Sequence, residues 1–271
     1  MALAWYPAPA KLNLFLHVLG RRADGYHELQ TVFRLIDRSD RVGIAPRKDG
    51  RIVFDGPFGE DNLCVRAAKL LQQPGMGCDL ALEKNIPVGG GLGGGSSDAA
   101  TTLFVLNRLW KTGLKRKALM ELAVRLGADV PFFLLGKNAI GEGIGERLTA
   151  LDLPPAWYLV LVPQVSVSTK ETFALALTPK GKRLKIPPFF PGQGQNDLEP
   201  VVTARYPVVA AQLAWLRQHR PQARMTGSGA CVFAEFDSEA QARALQTQLP
   251  GRMNGFVAQG LEQHPLHEGR D

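Results

Sequence analysis

Thirteen residues, Pro87-Val-Gly-Gly-Gly-Leu-Gly-Gly-Gly-Ser-Ser-Asp-Ala99, put glycine at six of the seven positions from Gly89 to Gly95 and lead into an apolar-periodic segment. Each glycine loses more conformational freedom on ordering than any other residue, so so dense a run is costly. Two things justify it: a backbone that must adopt positive φ, or a bulky ligand that must approach the main chain closely. From Ser97 to Trp110 the residues Ala99, Leu103, Leu106 and Trp110 fall on one helical face. A loop that opens into a helix in this way brings unpaired N–H groups and the positive end of a helix dipole to one point. The chemistry is anion binding, and a polyphosphate is the natural guest.

The two commonest owners of such a loop do not fit. Gly89-x-Gly91-x-x-Gly94 matches the dinucleotide fingerprint as a bare pattern, but that unit needs a second parallel strand and an acid about 20 residues further on. Here Lys111-Thr-Gly-Leu-Lys-Arg-Lys117 and a second helical segment follow, and the first acid is Glu121. The Walker A pattern fails because no lysine follows the last glycine. A flexible linker would be polar and repetitive, whereas this run carries Leu92 and is flanked by the strand-like Asp79-Leu-Ala-Leu82 and an apolar helix.

Other residues could complete a site. Strand alternation from Lys11 to Val18 puts Leu12, Leu14, Leu16 and Val18 on one face and Lys11, Asn13, Phe15 and His17 on the other. A Lys-x-Asn pair opposite an apolar face suits a strand lining a polar site, although taken alone an exposed face is the simpler expectation. Asp129 follows Gly127 and precedes Val130-Pro131, at an irregular corner. It is placed either to form an Asx turn or cap, or to accept a proton from an attacking hydroxyl, with a nearby ammonium favouring its charged form. Spacing alone does not bring Lys11 to Asp129. Tyr26-His27 offers two flat polar rings beyond an Asp24-Gly25 turn, where a nucleobase could stack or where the rings could simply be surface. Thr226-Gly-Ser-Gly229 reads equally as a tight turn and as a second phosphate-facing loop.

The elements that must position these residues are strands and helices in clusters. Strand patterns run over Trp5–Leu19, Thr31–Ile36, Arg41–Ala45 and Arg51–Phe54, and helical patterns over 61–73, 97–110 and Arg116–Leu126. A hairpin over Lys137–Ile140 and Glu146–Leu151 turns around Gly141–Gly145, and Pro154-Pro155 marks a lobe boundary. Beyond it come a buried strand at Trp157–Val162 and capping-box spacings at Ser168-x-x-Glu171 and Asn196-x-x-Glu199. A helix over 207–219, a strand over Cys231–Phe236, a helix over Ser238–Leu249 and a strand over Gly255–Gln259 complete the pattern. The absence of regular βα alternation favours an α+β fold over a doubly wound sheet.

At 271 residues the chain can bury a full core, and its 45% apolar and 21% charged composition is that of an ordinary soluble globule. Cys64, Cys78 and Cys231 are scattered without metal-ligand spacing, which reads as reduced and cytoplasmic. No stretch approaches the roughly 20 apolar residues needed to span a membrane. The net charge of +7 suits an anionic small substrate or a nucleic acid. The basic residues are dispersed apart from 111–117 and Lys180–Lys185, both loop-like and without interleaved aromatics, so solvated loops explain them better than a nucleic-acid surface.

Three segments in this order resemble the galactokinase/homoserine/mevalonate/phosphomevalonate (GHMP) kinase superfamily: Pro9-Ala-Lys-Leu-Asn-Leu14, Pro87 to Ala100 with Gly91-Leu-Gly-Gly-Gly-Ser-Ser97, and Met225-Thr-Gly-Ser-Gly-Ala-Cys231. Arg22-Ala-Asp-Gly-Tyr-His-Glu-Leu29, Gly127-Ala-Asp-Val-Pro131 and Asn196-Asp-Leu-Glu199 are similar to the branch of that family that phosphorylates a CDP-linked polyol. The resemblance implies a two-lobed α+β fold. Residues 1–154 would form a ribosomal-protein-like ATP-binding lobe and 155–271 a ferredoxin-like lobe, with the site between them. It implies a catalytic pair of Lys11 and Asp129, with Asp129 as base. By the same resemblance Pro87, Val88, Gly89, Gly90, Gly91, Leu92, Gly93, Gly94, Gly95, Ser96 and Ser97 would wrap the phosphates of ATP, with Asn62, Leu63 and Lys84 near the adenine. Asn13, Tyr26, His27 and Phe173 would hold the cytidine end. ATP is the implied co-substrate and Mg²⁺ its expected companion, without a cluster of protein ligands to announce it; Ser97 and Glu142 are candidate oxygens that no motif supports. A mevalonate- or homoserine-type kinase and a basic RNA-binding protein are the alternatives.

Overall fold

The computed structural model describes residues 2–175, 184, 186 and 192–267; the basic segment Lys180–Lys185, Leu184 aside, lies outside them. The first lobe begins with two long strands, β1 (Ala4–Arg21) and β2 (His27–Arg47), paired antiparallel through the Asp24-Gly25 turn. Two separate strands were expected where β2 runs unbroken. The polar stretch Asp37-Arg38 that interrupts the apolar pattern is taken up as a bulge: Pro9 faces Ser39 while Ala10 already faces Ile36. Then follow β3 (Ile52–Asp55), α1 (Leu63–Leu71), β4 (Gly77–Glu83), α2 (Gly94–Leu109), α3 (Arg116–Ala123), α4 (Val130–Leu135), β5 (Ala139–Gly143) and β6 (Arg147–Ala150). Strand order is β3-β4-β2-β5-β6 with β1 on β2, and β3–β4 is the parallel pair. The apolar faces of α1 to α4 close over this sheet around Ala67, Leu71, Leu103, Leu106, Leu119 and Phe132, and the Trp110 indole N–H donates to the Gly77 carbonyl at 3.2 Å.

The chain passes to a second sheet between Ala150 and Trp157. This lobe contains β7 (Trp157–Leu161), α5 (Thr169–Leu175), α6 (Glu199–Arg205), α7 (Pro207–His219), β8 (Arg224–Met225), β9 (Val232–Phe236), α8 (Glu239–Gln246) and β10 (Gly255–Gln259). Its antiparallel order β10-β7-β9-β8 is the ferredoxin-like arrangement. The segment after β10 crosses back to the first lobe, where Leu261 N–H donates to the Leu35 carbonyl at 2.8 Å and His264 N–H to the Gly136 carbonyl at 2.8 Å.

A second bulge, between Asn13 and Phe15, breaks the expected alternation of β1. Leu12, Leu14 and Phe15 all enter an apolar cluster with Tyr158, Val160 and Phe233 of the second sheet. Leu16 and Val18 join the core of the second lobe with Leu198, Val202 and Leu213. One strand therefore contributes to the packing of both lobes, and the cleft between them opens beside its polar residues.

Candidate active site

α2 begins at Gly94, three residues earlier than its apolar pattern indicated, and Gly93 caps it in the left-handed region at φ +72°. A side chain on Gly93 would come within 3.0 Å of Lys11 Cε and of the Phe133 ring, so the loop passes against Lys11 as closely as atoms allow. No acid occupies the first turn of α2, so nothing there offsets the positive end of its dipole.

The carbonyls of the loop are spent on its walls. Ala230 N–H donates to Gly89 O at 3.3 Å, Cys231 N–H to Gly90 O at 3.1 Å and Lys11 N–H to Leu92 O at 3.0 Å. Gly91 O accepts from Lys11 Nζ at 3.0 Å and from Thr226 Oγ1 at 3.5 Å. In a trans peptide the N–H points away from the C=O, so anchoring four successive carbonyls turns the next N–H groups the opposite way. Thr226-Gly-Ser-Gly229 is both a turn, with Gly229 N–H donating to Thr226 O at 3.0 Å, and part of the cleft wall, which its Gly227, Ser228 and Gly229 line.

Lys11 and Asn13 are not on an exposed face: each is 3% exposed. The bulges and the second lobe cover what an isolated strand would leave open. Lys11 Nζ lies 3.3 Å from Asp129 Oδ2, donates to Asn13 Oδ1 and sits 5.7 Å over the Phe33 ring. Asn13 Nδ2 donates to Thr31 Oγ1 at 2.8 Å, so both ends of its amide have protein partners while it remains on the cleft wall. Asp129 precedes α4, a helix its sequence did not announce, yet its side chain makes no cap hydrogen bond. Its carboxylate, about one-third exposed, faces Lys11 instead.

Lys84 is held by two carboxylates that sequence reasoning missed, Asp40 and Asp98, the latter at 2.8 Å. Burial of Lys84 works against its charge, but the two carboxylates outweigh this and raise its pKa. Burial, opposed by Lys84 and reinforced by Asp40, raises the pKa of Asp98. No periodicity links residues 40, 84 and 98; only the fold does. Asn62 caps α1, accepting from Cys64 N–H at 2.8 Å and donating to Pro57 O at 3.0 Å. Leu63 Cδ1 lies 3.5 Å from where a Cβ on Gly95 would stand. Ser96 lines the cleft, whereas Ser97 is fully enclosed, its N–H donating to Gly93 O. Glu142 meets Gln30 Nε2 at 3.5 Å.

At the far end the His27 and Phe173 rings stack across the lobes, 5.3 Å between centroids and 30° between planes, beside an exposed Tyr26. Burial, with the Arg21 charge, lowers the His27 pKa. Asn196 does not form the expected capping box. Its side chain donates to Met225 O and Gly227 O at 2.8 Å each, and Glu199 accepts from Met225 N–H at 3.0 Å, so both residues brace the second glycine turn. Ser168 does cap α5, accepting from Glu171 N–H at 3.3 Å. The whole cleft encloses about 1660 Å³, more than the roughly 300–1,000 Å³ of a site for one drug-sized ligand. Among the described residues no group of three or more His, Cys, Asp or Glu side chains could hold a metal ion, and no helix is long and apolar enough to cross a membrane.

Residues 62–137 match the model of the GHMP kinases N-terminal domain and residues 191–255 that of the GHMP kinases C-terminal domain. The chain belongs to the GHMP kinase family. Among relatives of this family, a 4-diphosphocytidyl-2-C-methyl-D-erythritol kinase of Nitrosospira multiformis is 59% identical over 272 residues, covering 97% of this chain and 92% of the relative. One of the same name from Thiobacillus denitrificans is 58% identical, covering 97% of each chain. A crystal structure of 4-(cytidine 5'-diphospho)-2C-methyl-D-erythritol kinase superposes with a TM-score of 0.83 at 36% identity, covering 95% of this chain and 99% of that one. The two GHMP models fall on α1–α4 with the glycine loop and on the segment from before α6 to the start of β10.

Proposed function

We propose that this chain is an ATP-dependent kinase that phosphorylates the 2-hydroxyl of 4-diphosphocytidyl-2-C-methyl-D-erythritol, a step of non-mevalonate isoprenoid precursor synthesis. The observation that carries the mechanism is the Lys11–Asp129 pair at 3.3 Å beside the N-terminus of α2. The phosphates of ATP lie along the backbone of Pro87 to Ser96, with Asn62, Leu63 and Lys84 flanking the nucleotide. The CDP end occupies the wall formed by Asn13, Tyr26, His27 and Phe173. The substrate hydroxyl oxygen attacks the γ-phosphorus, the bond to the β–γ bridging oxygen breaks, and Asp129 takes the hydroxyl proton. Charge spreads over the transferring group, so positioning and charge neutralisation do most of the work. Lys11, fixed by Asn13 and the Gly91 carbonyl, supplies one positive charge and the helix dipole another.

A Mg²⁺ ion would supply further charge neutralisation on the β- and γ-phosphates. Mg²⁺ keeps much of its shell as phosphate oxygens and water, and the Ser96 hydroxyl on the cleft wall would provide a protein oxygen. We assign residues 1–154 to the ATP-binding lobe and 155–271 to the second lobe. ADP release measured by a coupled assay tests the reading. Turnover is expected with the CDP-linked alcohol; turnover with mevalonate or homoserine but not with that substrate would overturn it.

A further inference from the structure

Phe58 stands out on the cleft wall. It is 64% exposed, and its backbone φ is +72°, with the following Gly59 at +53°. Consecutive positive φ values suit Asn-Gly, whereas for a bulky residue such as Phe the first position is a conformational outlier. Folding for its own sake would neither strain this backbone nor leave the ring in water. The segment is nevertheless tied in place, because Asn62 donates its side-chain amide to Pro57 O at 3.0 Å and its N–H to Gly59 O at 3.2 Å. From Asn62 the chain enters α1, whose Leu63 Cδ1 lies 3.5 Å from where a side chain on Gly95, in the first turn of α2, would begin. The ring is thus fixed one short loop from the phosphate cradle.

Leu63, Leu82 and Val88 line the same cleft, the last also 64% exposed. The other aromatic pair on the cleft wall, His27 and Phe173, comes from the β2 start and α5 rather than from the segment before α1. The cleft lining therefore holds two separate aromatic groups, Phe58 and the His27–Phe173 pair, and its volume is sufficient for two nucleotides.

We infer that Phe58 is the stacking platform for the purine base of the nucleotide whose phosphates lie on the glycine loop, held in a left-handed backbone conformation to present its ring. This rests on the kinase reading above. Stacking of a base on an aromatic side chain is worth about 1–3 kcal/mol, which converts to a change of roughly 5- to 150-fold in binding.

Steady-state kinetics with thermal unfolding tests it on the full-length chain. Phe58→Ala is expected to raise KM for ATP by about 5- to 150-fold while kcat and KM for the alcohol substrate stay within about threefold, and Phe58→Trp restores KM for ATP. Phe58→Asn is expected to raise KM for ATP while also raising Tm, because asparagine accepts the left-handed backbone. An unchanged KM for ATP in Phe58→Ala, or a fall in Tm without a change in KM, overturns the inference. Failure of the kinase reading itself is distinguishable, because the unmodified chain would then release no ADP with the CDP-linked alcohol.

Discussion

Substituting Gly91 by alanine tests whether the glycine run is built for close approach. Gly91 has φ +75°, a conformation costing an alanine about 1–2 kcal/mol. The added methyl group would lie 2.3 Å from Thr226 O and 3.1 Å from Gly229 O, both backbone atoms of the second glycine turn. Since that turn is braced by Asn196 and Glu199, the loop must move instead. Movement carries the Gly91 carbonyl away from Lys11 Nζ, and a displacement of about 1 Å at a reacting site can cost about 10²-fold in rate. The expected result for Gly91→Ala is a loss of about 10²-fold in kcat/KM by ADP release, with a stability loss of at least about 1–2 kcal/mol in urea. Gly95→Ala is the control. Its φ is ordinary and its methyl meets nothing closer than Leu63 Cδ1 at 3.5 Å. That variant should keep the stability of the parent or gain up to about 1 kcal/mol from the better helix former. Parental activity and stability in Gly91→Ala would refute the argument that two backbones meet there.

Three further outcomes follow from the geometry. Phe173→Ala removes one partner of the inter-lobe ring stack, so KM for the CDP-linked substrate should rise about 10-fold, within the range for a lost base–aromatic contact, with KM for ATP unchanged in the same assay. Asn196→Ala strips hydrogen bonds from two buried carbonyls of the second glycine turn, costing about 1–3 kcal/mol, read by urea denaturation. Burial lowers His264 to about 3 and His267 to about 4, from an ordinary 6.5. Both are depressed in the folded chain, so their neutral forms support folding fully above 6.5. That contribution is lost as pH falls from about 6.5 toward 3. Denaturation curves at pH 7.5 and 5 should show stability falling with pH, and His267→Phe should weaken that dependence.

Much of the site was legible because its parts are local. The glycine run marked the loop that opens α2 on the cleft wall, and α7 and β10 follow their expected limits at 207–219 and Gly255–Gln259. What brings the parts together was not legible. Lys11 and Asn13 seemed exposable because strand alternation ignores what lies across the sheet, and here the second lobe and the loop bury both. The bulge near Leu14 shifts a face by one position, which period-two patterning cannot anticipate. Asp129 reaches Lys11 only because the unforeseen α4 turns the corner, and Lys84 gains Asp40 and Asp98 through contacts 44 and 14 residues apart. Phe58 carried no pattern at all; its signal is a backbone angle.

The central claim is that Asp129 takes the proton of the substrate hydroxyl beside Lys11. Asp129→Asn preserves shape and removes the base. Its kcat for the CDP-linked alcohol, measured by ADP release on a variant whose thermal unfolding matches the parent, tests the claim most directly. The account predicts a fall of about 10²- to 10⁴-fold with KM for ATP little changed. A kcat within threefold of the parent would contradict it.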